Sequence, residues 1–249
     1  MNNIFPFPND ALILLYELAT ELAPAAITAA ILSRKAKQLP TSAAVLTYGT
    51  FALYIAAVLH ITGAGTIHDG LLRGFGSRNQ YNLVPFVNGA DPTQLLLNAA
   101  LFVPFGCFFG RALGRRAPHD FLTKKRASAC KRTAMNLAKT AAGSFAFSLA
   151  IETSQLLSNR TFDIDDLVMN TLGGCIGFAI ALAAARLMQD SAFRRRTART
   201  ALQRNRDCTS ARPRRSGATV VFFGIAAAAF LGRFVLFNEL AAAGMLYGF

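Results

Sequence analysis

Charge is scarce in this chain: only 16% of its 249 residues are charged, against 53% hydrophobic, and the mean hydropathy is positive. A soluble domain usually carries about 25% charged residues, so an ordinary water-soluble protein is excluded and an integral membrane protein is indicated. Cysteine is sparse as well. Cys107, Cys130, Cys175 and Cys208 form no C-x-x-C pair, which argues against a thiolate metal site and against a disulfide framework, and leaves them as small apolar fillers. There is no H-E-x-x-H helix and no Ser-His pair in place, so neither a zinc-peptidase nor a serine-hydrolase pattern is present. The residues before the first apolar run include no basic one, and no signal peptide is expected. No internal repeat is visible.

What the chain does have is apolar length. A helix needs about 20 apolar residues to cross a hydrocarbon core of about 30 Å. Six stretches meet that length: roughly 11 to 33, 43 to 64, 93 to 113, 134 to 158, 164 to 188 and 217 to 237. The net charge of +13 does not point to nucleic acid, because the basic residues cluster at the ends of these stretches. Arg34, Lys35 and Lys37 lie in one loop, Arg111, Arg115, Arg116, Lys124, Lys125, Arg126, Lys131 and Arg132 in a second, and a basic run from Arg186 to Arg215 in a third. These are alternate loops. The intervening loops hold only Arg73, Arg78 and Arg160, so the positive-inside rule predicts six spans with the N-terminus outside. Lys139 and Arg233 fall within spans near their ends, where their stems can snorkel.

Several polar residues interrupt the apolar stretches. Glu17 and Glu21 share one face of the first span at i, i+4 spacing; hydration near the outer interface accounts for Glu17, while a cavity role suits Glu21 better. Pro24 is a candidate kink, and His60 reads as a hydrated interfacial side chain without a catalytic role. The loop from 65 to 92 is too glycine-rich for a long helix and too apolar for a solvated tail, so it is expected to fold back on the bundle with Asn82 to Phe86 docking. In the third span, Asp91 and Pro92 mark the start, and Pro104 with Gly106 predicts an interruption halfway. Thr140, Ser144, Ser148 and Glu152 form a polar row on the fourth span; interhelical glue explains the first two, but not a carboxylate.

The stretch from Glu152 to Gly177 bridges the fourth and fifth spans and concentrates the remaining polar chemistry. Asp163 and Asp165 sit at a helix start, where N-capping and the helix dipole are a sufficient account of them. Capping does not explain Asn170, about a turn deeper. Gly173 and Gly177 continue the same face and would admit a closely packed second helix.

Four short patterns follow one another in order: N-x-x-P-F at Asn82, Pro85 and Phe86; N-x-x-x-F-x-P-x-G at Asn98, Phe102, Pro104 and Gly106; E-x-x-Q at Glu152 and Gln155; and Arg160, Asp166, Asn170 and Gly173 in a final set. In these the chain resembles the VanZ-like membrane protein family over about residues 10 to 190. Together with the span count, this gives an all-α, polytopic membrane helix bundle of about six transmembrane helices: the resemblance implies a five-helix core domain at 1–190, while a basic cytoplasmic loop at 191–216 and an additional C-terminal helix at 217–249 lie outside it. It also implies the bacterial cytoplasmic membrane as location. The family takes its name from a protein that lowers sensitivity to the lipid-tailed glycopeptide teicoplanin, which links the fold to the cell envelope rather than to a known reaction.

With the N-terminus outside, every one of these patterns falls on the outer half of the membrane. They would converge on one outward-facing polar pocket holding the carboxylates of Glu152 and Asp166, the amides of Asn82, Asn98, Gln155 and Asn170, and the guanidinium of Arg160. Three function classes fit. The pocket binds or remodels a cell-envelope lipid or lipid-linked intermediate, with Arg160 on a phosphate. Alternatively, Glu152 and Asp166 act as catalytic carboxylates of a membrane enzyme on a lipid-linked substrate. The third class is a structural polar core without ligand. No cofactor, metal or oligomeric state can be read from these residues, and the D-x-D-D oxygen set lacks the histidine that a metal claim would need.

Overall fold

The computed structural model describes residues 9–35, 41–73, 81–86, 91–114, 126–158, 160–200 and 217–238. Seven helices and one two-residue strand pair are formed among them: α1 (Asn9–Lys35), α2 (Ser42–Thr62), α3 (Ile67–Arg73), β1 (Tyr81–Asn82), α4 (Pro92–Gly114), α5 (Arg126–Gln155), β2 (Phe162–Asp163), α6 (Ile164–Thr200) and α7 (Ala218–Leu236). The fold is an all-α membrane helix bundle, as the length of the apolar stretches predicts. Five stretches are long and apolar enough to cross a membrane: Ala11–Lys35, Ser42–Leu72, Pro92–Leu113, Ile164–Met188 and Ala218–Leu236.

Three expectations need correction. The fourth expected span is a helix, α5, but it is not among the five apolar ones; Lys131, Arg132, Asn136, Lys139 and its hydroxyl row dilute it. α4 runs through Pro104 without a break, since the proline removes one donor while the turns on either side keep their hydrogen bonds. α6 does not stop near 188 but continues to Thr200, so residues 191–200 of the expected basic loop are helical. The remainder of that loop, Arg78 and Cys208 lie outside the described residues.

The chain divides into two compact units, and each is described by itself. The first takes its described residues from 1–91, 146–167 and 220–249. Its core is the contact of α7 with α1 and α2. Val221, Phe222, Ile225, Ala226, Ala229, Gly232 and Arg233 form one buried face of α7, at the i, i+3, i+4, i+7 spacing of a helix packed on one side. Phe222 meets Phe51 of α2 edge-on at 4.8 Å between centroids. A Cβ on Gly232 would collide with the carbonyl oxygen of Thr20, so only glycine lets α7 come this close to α1. An apolar crevice of about 440 Å³ opens between α1 and α2, with Ala25, Ala29, Tyr48 and Ala52 in its walls.

The second unit draws on 92–145 and 168–219. Here the expected close approach at Gly173 and Gly177 is made by α4: a Cβ on Gly173 would run into the carbonyl of Ala99, and one on Gly177 into that of Val103. Gly106 of α4 reciprocates against the backbone of Gly174. Cys107 donates its thiol to the Gly177 carbonyl at 3.3 Å, and Phe105 stacks on Phe109 at 4.6 Å. The hydroxyl row of α5 does not act as glue in the expected way. Thr140 bonds back to Asn136 O within its own helix, and Ser144 Oγ, buried against Gly174, has no hydrogen-bond partner among the described residues.

Candidate functional site

In the first unit, the polar chemistry is organised around the C-terminal end of α2. A helix leaves its last carbonyls without partners. Here Gly63 adopts the left-handed conformation, φ 62°, and donates to His60 O, while Ala64 donates to Leu59 O, which is the Schellman arrangement. Side chains supply donors to two more carbonyls, that of Thr62 at the helix end and that of Ala64 just past it. Thr62 O accepts from Gln155 Nε2 at 2.7 Å and from Arg160 Nη1 at 2.5 Å; Ala64 O accepts from Arg233 Nε at 2.7 Å. Gly65, which a Cβ would drive into the Ser154 carbonyl, donates its N–H to Ser154 Oγ at 3.1 Å.

A second set of bonds fixes the start of α6. Asp163 is its N-cap: Oδ1 accepts from the backbone N–H of Asp165 at 2.9 Å and from Asn82 Nδ2 at 3.2 Å. The N–H of Asp163 is itself taken by Glu152 Oε2 at 3.1 Å. β1 and β2 pair in parallel, Tyr81 with Phe162 and Asn82 with Asp163. The segment from Asn82 to Phe86 thus docks where the sequence places it.

Asp165 does more than cap. Its carboxylate accepts the Phe86 N–H at 3.0 and 3.2 Å, and Phe86 has a φ of 59°, a conformation that a bulky residue adopts only under constraint. The capping account of Asp165 is therefore incomplete: the side chain is buried and holds the 81–86 segment down. Replacing Asp165 with alanine is expected to free that segment, read as loss of hydrogen-exchange protection at the Phe86 amide with α2 and α7 unaffected; unchanged protection there would contradict the role.

The seven residues selected from the sequence are distributed as follows. Glu152 and Gln155 are buried on α5, Arg160 is exposed in the turn that follows, Asn82 is half-buried on β1, and half-buried Asp166 lies near enough to Glu152 for their charges to interact. These five belong to the first unit, in two clusters, one on Thr62 O and one on Asp163. Asn98, half-buried on α4, and Asn170, buried on α6, belong to the second.

One cluster was not foreseen. Arg233 does not snorkel to the interface but is buried, bonded through Nη1 to Glu17 Oε1 and at 3.1 Å to Glu21 Oε1, with its guanidinium 5.4 Å over the ring of Phe237. Glu17, expected to be hydrated, is buried and also meets His60 Nδ1 at 2.9 Å. The signal was available in the sequence: two acids and one base inside apolar stretches of opposite chain ends need each other.

These features, several apolar helices whose polar residues bond to one another and to helix ends, define a multi-pass helical membrane protein. The chain belongs to the VanZ/LLP1 family, whose model matches residues 51–188. The match begins within α2, later than the resemblance suggests, and leaves out α1 and α7. Comparison with curated proteins and with solved structures gives no match.

Proposed function

We propose that the protein binds or remodels a cell-envelope lipid or lipid-linked intermediate at the outer face of the bacterial cytoplasmic membrane, with Arg160 as the anchor for its phosphate. The observation that carries this reading is the placement of Arg160. One nitrogen of the guanidinium is tied to Thr62 O, which orients the group, while the side chain as a whole remains exposed. A planar cation held in this way presents its other N–H groups for bidentate contact with a phosphate oxygen pair.

The neighbouring segment supports a lipid rather than a soluble anion. Tyr81, Leu83, Val84 and Phe86 are exposed although the segment is pinned by Asn82 and by the Phe86 N–H, so apolar side chains stand beside a basic one. That combination suits the boundary between headgroup and acyl chain. Family membership adds a link to reduced glycopeptide sensitivity as the physiological setting.

A fluorescently tailed polyprenyl phosphate, titrated into the full chain in nanodiscs, tests the reading. Charged hydrogen bonds are worth about 1.5–3 kcal/mol, so Arg160→Gln is expected to weaken binding about 10- to 100-fold. Equal affinity for wild type and variant would remove Arg160 from the site. Incubation of the same preparation with labelled bacterial lipid extract addresses catalysis, for which Glu152 and Asp166 are the candidate carboxylates: a product formed by wild type and not by Asp166→Asn would make the protein an enzyme.

A further inference from the structure

We propose that Glu17, Glu21, His60 and Arg233 form a proton-binding site within the helices of the first unit, in which Glu17 is the ionised partner of Arg233 and Glu21 carries a bound proton. The proposal is independent of the lipid site: it uses other side chains, and all but His60 lie outside the residues that the family model matches.

Two carboxylates face one permanent cation, the Arg233 guanidinium, while the His60 ring bonds to Glu17. The charged and titratable neighbours of Glu21 come from every helix packed around it: Glu17 on its own helix α1, His60 on α2 and Arg233 on α7. Among the described residues no further permanent cation is one of them. An uncompensated charge in an apolar surrounding is strongly unfavourable, and a carboxylate so placed takes up a proton instead.

Hydrogen bonding decides which carboxylate. Glu17 receives Arg233 Nη1 on Oε1 and meets His60 Nδ1 with both oxygens, at 3.1 and 2.9 Å. Glu21 is wholly buried and has a single donor, Arg233 Nη1 on Oε1; its Oε2 has no partner among the described residues. The nearby Thr20 hydroxyl offers nothing, being spent on Glu17 O, and Arg233 Nε is spent on Ala64 O. An ionised carboxylate asks for several donors, whereas a neutral acid with one is far cheaper to bury. The proton therefore resides on Glu21. His60, with its side chain 55% exposed and its ring nitrogen on Glu17, is the exposed end of the cluster. A metal ion is a poorer occupant, since among the described residues no three His, Cys, Asp or Glu side chains are grouped to hold one.

Infrared difference spectroscopy of the full chain in nanodiscs at neutral pH tests this. The carbonyl stretch of a protonated carboxyl should appear in wild type minus Glu21→Gln. It should also be lost in Glu17→Gln, although Glu21 is then still present, because Arg233 is left with Glu21 as its only carboxylate and the proton departs. A wild type and Glu21→Gln with the same spectrum in this region would overturn the proposal, as would a band that persists in Glu17→Gln. Should Glu21→Gln fail to fold, Glu21→Asp keeps the acid and must displace the band; an unshifted band would be equally fatal.

Discussion

Replacing Arg233 with methionine is expected to cost about 3–5 kcal/mol of stability, the range for removing one partner from a buried ionic group. The substitution leaves Glu17 and Glu21 without their shared cation and deprives Ala64 O of its donor. At that scale most of the marginal stability of a domain is gone, and thermal unfolding in detergent should show a large drop in midpoint or no cooperative transition. Adding Glu17→Gln and Glu21→Leu to the same chain removes the stranded charge of Glu17 and the unpartnered carboxyl of Glu21, and is expected to recover most of the loss, because buried ionic groups are replaceable by apolar ones of similar volume. Arg233→Met unfolding at the wild-type temperature would show that the cluster contributes nothing.

The second large effect lies in the other unit. Gly173→Ala and Gly177→Ala each place a methyl group against a backbone carbonyl, of Ala99 and Val103, which cannot rotate out of the way as a side chain could. Overpacking costs about 1–3 kcal/mol and sometimes more, against about 1 kcal/mol gained in helix propensity. Because the added Cβ would lie about 2 Å from a backbone oxygen, the upper part of that range applies, and a net loss of about 1–2 kcal/mol for each variant is expected from thermal unfolding. Gly49→Ala is the control. Nothing lies within 4 Å of its added Cβ, so only the propensity gain remains and the midpoint should hold or rise.

These two cases also divide what a reader of the chain can see from what cannot be seen. Gly173 and Gly177 declare themselves, since small residues four apart on an apolar helix have few reasons other than close packing. The docking of Asn82 to Phe86 was similarly legible from glycine content and apolar side chains. The acceptors at the end of α2 were not. Every residue has a carbonyl, so nothing in the sequence distinguishes Thr62 O as the oxygen on which Gln155 and Arg160 both close. The pairing of Arg233 with α1 was hidden by distance along the chain, and reading each charge against its nearest interface assigned Arg233 and Glu17 to water. Asp165 is a related case: its position at a helix start supplies an adequate local explanation, and the Phe86 amide it holds comes from a different segment. The hydroxyl row of α5 shows the converse error, in which a regular pattern invited a shared purpose and Thr140 serves only its own helix.

The bond between Glu21 and Arg233 also sets a clock. Its partners are 212 residues apart, and synthesis proceeds at about 5–20 residues per second. α1 therefore waits about 10–40 s for Arg233. During that interval neither acid can enter the bilayer ionised at an acceptable cost, so α1 must cross with both of them protonated or linger at the surface until α7 emerges. α7, made long after α1, completes it.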